Sequence, residues 1–266
     1  MKISGIDEGF VDIIDYLDSK GFRPYSSCDG VIDHHVDKEK PTKAYIAFLK
    51  SDRIIDVMAA LLRDKLCFSV NLSSSTNIHP YELYGNVIEG NTYSVSFDNL
   101  QGQITEYFKK IVRGAADGKI VVTDAERERL TQIDECLEAT KDSELGFSVE
   151  LNCDYQPYTN KTGRTNRLTI TTKEGVGYNR NMQELAQRIS EKFGISLKMA
   201  GFADNYEDVD EFVVPQFDKC LLEYCFKDED LPKAIEIIKQ AMLEEKSLET
   251  MEIKEPDYDE YDPLDY

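Results

Sequence analysis

The sequence predicts an α+β protein built from two tandem related units. Three observations lead there. Segments of helical and strand periodicity follow the order helix–strand–strand–helix–strand–strand–helix, αββαββα, and that order occurs twice. Equivalent helices of the two halves carry matching apolar stripes. The halves also echo at one point, where Ser27-Cys28-Asp29 and Asn152-Cys153-Asp154 each close their unit's first strand.

The first unit, residues 1–118, reads as a helix at 7–20, strands at 22–28 and 43–50 and a helix at 52–65. Strands at 66–74 and 91–98 and a helix at 100–113 complete it. The second unit, 119–246, gives a helix at 124–141, strands at 146–153 and 166–173 and a helix at 181–193. It ends with strands at 195–202 and 219–227 and a helix at 230–245. Ser51 suits a helix cap, and Ile54, Ile55, Met58, Leu61 and Leu62 build one helical face behind it. The counterpart carries Met182, Leu185, Ala186, Ile189 and Phe193 and stops at Gly194. Leu100, Ile104, Phe108 and Ile111 match Leu231, Ile235, Ile238 and Met242 in the last helix of each unit. Period-two alternation marks the strands, as in Tyr93, Val95 and Phe97 or Leu222, Tyr224 and Phe226. Within each unit lies a βαββα core of ferredoxin-like character, and a pseudo-twofold axis is expected between the units. The run Lys119-Ile120-Val121-Val122 is expected to add an edge strand.

The chain has 266 residues with 51 acidic and 31 basic side chains, a formal net charge of −20. Such acidity repels phosphate backbones and anionic lipid, which argues against a duplex nucleic-acid binder or a membrane-docked protein. No apolar stretch is long enough to span a bilayer, and acids interrupt the N-terminal segment, so a cytoplasmic protein is expected. Hydrophobic content of 41% supports a core. The six cysteines form no CxxC pair and read as reduced, mostly buried thiols. Residues 247–266 hold eight acids and one base and read as a flexible acidic tail. It is either a solubilising segment or an acidic nucleic-acid mimic.

The duplicated αββαββα order resembles, in topology, the single-chain homing endonucleases of the LAGLIDADG type. The helix ends Leu17-Asp18-Ser19-Lys20-Gly21 and Ala139-Thr140-Lys141-Asp142 do not match their motif, and the net charge has the wrong sign for gripping DNA. No function is carried over.

Three stretches carry candidate chemistry. The loop Cys28–Asp37 holds two of the three histidines, so Cys28, Asp33, His34 and His35 are the candidate metal ligands. Adjacent histidines diverge on a strand and no His-x-x-His spacing exists, so no metal or cofactor is expected. Cys28 with His34 or His35 is the candidate nucleophile–base pair of an alternative, enzymatic reading. Against it, Cys28 and Cys153 at equivalent places suit packing at an interface between the units. The strongest functional signal is a basic island, residues 157–182, where Lys161, Arg164, Arg167, Lys173 and Arg180 face Glu174 alone. Its loop from Gly175 to Asn181 leads into a helix start, a place suited to an anion, and Tyr178 is available for stacking. The loops 73–81 and 206–211 are expected to border a cleft, where Asp204, Asp208 and Asp210 lack the spacing of a calcium loop. The sequence thus points to a non-enzymatic binding or sequestering protein, with an inhibitor carried by a mobile element as one form of it. It would take a small anionic or nucleotide-like ligand, or a protein partner, near the inter-unit groove. Lys161, Arg164, Arg167, Tyr178 and Arg180 are its expected contacts.

Overall fold

A computed structural model describes residues 7–31, 43–51, 53–65, 67–74, 90–99, 102–153, 165–172, 180–209 and 212–249. The fold is α+β: a single antiparallel sheet of eight strands with six α-helices. The first half runs α1 (Val11–Ser19), β1 (Arg23–Cys28), β2 (Lys43–Leu49), α2 (Ile54–Leu62), β3 (Ser69–Ser73), β4 (Thr92–Asp98) and α3 (Thr105–Ala116). The second runs α4 (Asp124–Glu138), β5 (Leu145–Cys153), β6 (Thr165–Thr172), α5 (Arg180–Phe193), β7 (Lys198–Val209), β8 (Phe212–Phe226) and α6 (Leu231–Glu249). No described helix is long and apolar enough to cross a membrane.

Alternation along the strands decides which face is buried. Ile46 and Phe48, Val70 and Leu72, Tyr93 and Val95, Phe147 and Val149, Leu168 and Ile170, and Leu222 and Tyr224 lie side by side across the ladder. All belong to one core with the apolar faces of the helices. Ile13, Ile14 and Leu17 face it from α1, Phe108 and Val112 from α3, Leu130, Ile133 and Leu137 from α4, and Ile237 and Ile238 from α6. Helix α2 buries Ile54, Val57, Met58, Ala59, Ala60 and Leu61, because α3 and α4 both pack on it. The opposite sheet face presents half-buried Asn71, Ser94, Ser96, Ser148, Thr169 and Thr171.

The strand order is β1-β2-β4-β3-β5-β6-β8-β7. Each half reads first, second, fourth, third, and the third strand of one half pairs with the first strand of the other. A twofold axis through an open sheet would bring the same strand of each half to the junction, so the expected pseudo-twofold relation is replaced by a head-to-tail one. The physical reason is that β3 and β5 are each the unpaired edge of their half and match in register, Val70↔Leu151 to Ser73↔Ser148. Helix α4 then packs on both β3 and β5 and closes the core over the seam. The expectation that Cys28 and Cys153 meet at an interface fails for the same reason. Cys153 lies on the junction strand β5, but Cys28 ends β1 at the outer edge of the sheet.

Further expectations change: Ser51 does not cap α2, whose N-cap is Arg53 with no side-chain cap bond, because the Ser51 hydroxyl is buried without a partner. Lys119–Val122 is not a strand but the link that ends α3 and starts α4. Lys119 and Ile120 donate their N–H groups to the Gly114 carbonyl, and Ile120 packs so close to Gly114 that a Cβ there would meet it at 2.9 Å. Helix α3 starts at Thr105 rather than 100 because Gly102 sits at φ +75° and the Asn99 side chain takes the Ile104 N–H. Strands β7 and β8 pair as far as Val209↔Phe212, so residues 206–209 continue a ladder rather than form a loop. Of the expected tail, residues 247–249 extend α6, and the remainder lies outside the described residues.

Helix α4 opens with a reciprocal cap: the Thr123 hydroxyl accepts the Glu126 N–H, and the Glu126 carboxylate accepts the Thr123 N–H. Arg63 and then that N–H hold the Glu126 carboxyl down at about 2, against an ordinary 4.5. We expect Thr123→Ala to cost about 1 kcal/mol in a denaturant melt. The carboxyl is depressed in the folded state, so its contribution is complete above pH 4.5 and lost as pH falls through 2. The stability gap between the native chain and Glu126→Gln should therefore close over that acid range.

Candidate functional site

Of the basic island, Lys161, Arg164 and Tyr178 lie outside the described residues, and Arg180 opens α5. Arg167 is well placed to show its chemistry. It lies on β6 on the helix-free sheet face, bridging Glu150 on β5 at 2.6 Å and Glu223 on β8 at 3.0 Å. Burial opposes its charge, and Glu150, Cys153 and Glu223 more than compensate, pushing its pKa up. A guanidinium shared by two carboxylates ties the strands together, and its Nε–H is left buried without an acceptor. Arg167 is thus paired with acids of its own sheet face.

Cys28 is buried, and its sulfur accepts the Gly30 N–H at 3.4 Å. The adjoining Asp29 is also buried and folds the loop back: its carboxylate accepts the Val31 N–H and its carbonyl accepts the Asn99 amide. Residues Asp33, His34, His35 and His79 lie outside the described residues. Among the described residues no three His, Cys, Asp or Glu side chains cluster as metal ligands. Burial also pushes the Cys136 thiol up to about 11, away from a reactive thiolate.

A cavity of about 430 Å³ lies where the halves meet. Leu62 and Lys65 reach it from the end of α2, Arg129 from α4, and Leu151, Asn152, Thr165 and Asn166 from β5 and β6. Lys227, Asp228 and Glu229, between β8 and α6, complete the rim. A kink in β5 opens this corner. The β5–β6 register shifts between Glu150 and Cys153, and Asn152 adopts φ +58°, the one positive φ among described non-glycine residues. The kink is held from all sides. The Asn166 side chain accepts the Asn152 N–H, the Asn152 amide donates to the Phe68 carbonyl, and Ser69 donates to the Asn152 carbonyl. Asn is one of the few residues that tolerates this conformation.

Asp228 sits at the centre. It accepts from the Asn166 amide at 2.8 Å, Arg129 at 2.6 Å and Lys65 at 3.1 Å. Burial alone would raise its pKa, but the Asn166 hydrogen bond, Lys65 and Arg129 together bring it down to about 2. It is ionised at any physiological pH. The Nε–H of Arg129 is buried with no acceptor. The groove is thus lined by Lys65, Arg129 and Lys227, with Asp228 and Glu229 as its acidic side. Sequence reasoning missed Lys65, Arg129 and Lys227 because they converge only after β3 and β5 pair. The run Lys227-Asp228-Glu229-Asp230 before a helix was the local signal available. No family model, curated protein or solved structure matches the chain.

The left-handed site yields a direct test. Asn152→Ala and Asn152→Gly both lose the bond to Phe68, but only alanine meets the steric cost of positive φ. Thermal melts should show Asn152→Ala less stable than Asn152→Gly by about 1 kcal/mol, inverting the usual order of these two residues.

Proposed function

We propose that the chain is a non-catalytic binding protein that holds a small anionic, nucleotide-like ligand in the groove between its halves. The observation that carries the reading is the buried, acceptor-less Nε–H of Arg129 in a cavity that Lys65 and Lys227 also line. A buried donor without a partner costs about 1–3 kcal/mol, and a ligand oxygen would remove that cost. The mixed lining favours a ligand with hydrogen-bonding groups as well as negative charge, since Asp228, Glu229, Asn152 and Thr165 stand beside the cations.

We also infer that the halves are copies of one ferredoxin-like unit. Support comes from β2-α2-β3-β4-α3, whose strands lie in the order β2-β4-β3, and from β6-α5-β7-β8-α6, whose strands lie in the order β6-β8-β7. A reducing, cytosolic setting fits Cys28, Cys67, Cys136, Cys153 and Cys225, none of which forms a disulfide.

Titration calorimetry with adenosine monophosphate and with citrate tests the binding proposal. Saturable binding of at least one of them is expected, weakened about tenfold in Arg129→Gln by loss of a charge-assisted bond. A flat titration with both, or equal affinity in the variant, overturns it.

A further inference from the structure

Two short strings in the first half share a spacing, Lys20-Gly21-Phe22-Arg23 and Lys50-Ser51-Asp52-Arg53. One joins α1 to β1 and the other joins β2 to α2. Antiparallel pairing sets Arg23 opposite Leu49, so the two connections arrive at the same end of the sheet. Together they line a cavity of about 340 Å³ formed by Lys20, Gly21, Phe22, Arg23, Lys50, Ser51 and Arg53. Four of these residues are cations, and no acid is among the described lining residues. In a chain with a net charge of −20, that segregation needs a reason.

Ion pairing within the fold accounts for some of the four but not all. Lys20 reaches Asp117 at 3.0 Å, and Lys50 reaches Asp134 at 2.9 Å and Glu138 at 3.2 Å. Arg53 donates to the Ala116 carbonyl and lies over the Phe22 ring, 5.5 Å from its centre. Each hydrogen-bonding or ion-pair partner comes from α3, α4 or the turn after α3, so these three cations are steadied from the helix side. Burial opposes the Lys50 charge, and its two carboxylates outweigh burial and keep its pKa raised. Arg23 is different: its guanidinium has no ion pair or hydrogen bond among the described residues. The Ser51 hydroxyl is buried and has no partner, although the Ser51 carbonyl accepts the Ile54 N–H that starts α2. The cavity therefore combines an unengaged guanidinium, an unengaged hydroxyl and three steadied cations. Gly21 turns the chain between α1 and β1 at φ +83°, a conformation that favours glycine.

We propose that this cavity is a second binding site, distinct from the groove, for a compact oxyanion carrying more than one charge: a phosphate or the phosphate of a small phosphomonoester. Asp117, Asp134 and Glu138 already offset much of the charge of Lys20 and Lys50, so Arg23 is the cation left for an incoming oxyanion. A tetrahedral oxyanion can accept from a forked guanidinium, an ammonium and a hydroxyl at once. A nucleic-acid backbone supplies the same group but meets the repulsion of the acidic body.

The test is calorimetry on the intact chain with inorganic phosphate and with glycerol 3-phosphate, in the native sequence and in Arg23→Gln, Ser51→Ala and Arg129→Gln. Saturable binding with one ion per chain at this site is expected, weakening as salt rises. Arg23→Gln should lower affinity about tenfold, as loss of one charge-assisted bond does, with an unchanged melting temperature because Arg23 holds nothing else. Arg129→Gln should leave phosphate affinity unchanged, which keeps this site separate from the groove. Tighter binding of inorganic phosphate identifies the free ion as the ligand, and tighter binding of glycerol 3-phosphate identifies the ester. Absence of saturable phosphate binding, equal binding in Arg23→Gln, or parallel loss in Arg129→Gln overturns the proposal.

Discussion

The antiparallel pairing of β3 with β5 is the contact on which the remaining architecture depends. Either half alone would expose a row of unpaired backbone groups along that edge, and four matched residue pairs close it. The pairing also aligns the apolar rows of both halves, so that Val70 and Leu72 continue into Leu151 and Val149 and one core forms instead of two. On the other face Ser148 donates to Asn71, and at the seam's end Ser74 and Phe147 exchange bonds. A one-residue slip would put Asn71 and Ser148 into the core, so the register is strongly specified. A head-to-tail junction has no closure of its own and could in principle continue to another copy. The outer strand β1 carries Pro24 and a register shift before Ser26, two features that make a strand edge a poor template.

Helix α4 turns that pairing into a rigid body. By sequence it begins the second half, yet most of its polar ties run to the first, with Arg129 to Asp228 the exception. Its Asp134 is nearly buried and accepts from Asn91, Tyr93 and Lys50, all in the first half. Glu126 pairs with Arg63, and Arg127 with Asp56. The exposed pairs contribute little individually, and buried apolar residues such as Leu130, Ile133 and Leu137 carry most of the stabilisation. The Asp134 network has a different role. A buried carboxylate is costly unless all its partners are in place, so it disfavours any other seating of α4 on the first half.

Local pattern made most of the fold legible. Alternation in Tyr93, Val95 and Phe97 and the stripe Met182, Leu185 and Ile189 found strand and helix because burial on one face imposes period 2 or 3.6 on the chain itself. What stayed hidden depends on contacts distant in sequence. Val121 and Val122 look like a strand by composition, but their backbone follows the end of α3, and Val121 is left 77% exposed. Arg167 reads as a free cation until β6 brings it between Glu150 and Glu223. The head-to-tail order was not legible because element order says which strands exist and nothing about which edges meet.

The distribution of charge follows the same separation of local from global. A net −20 sets the long-range field, but that field is screened over roughly 8 Å at physiological salt. Within that distance only neighbours count. Apart from Arg129 on α4, the cations of both cavities lie at or beside turns between strands and helices, on Lys20, Arg23, Lys50 and Arg53 at one place and Lys65 and Lys227 at another. Turns bring side chains from different elements to one end of the sheet, where backbone N–H groups at helix starts add partial positive charge. An acidic chain can therefore repel a long polyanion and still hold a small one. The polyanion must cross the whole surface field, whereas the small ion needs only one favourable corner.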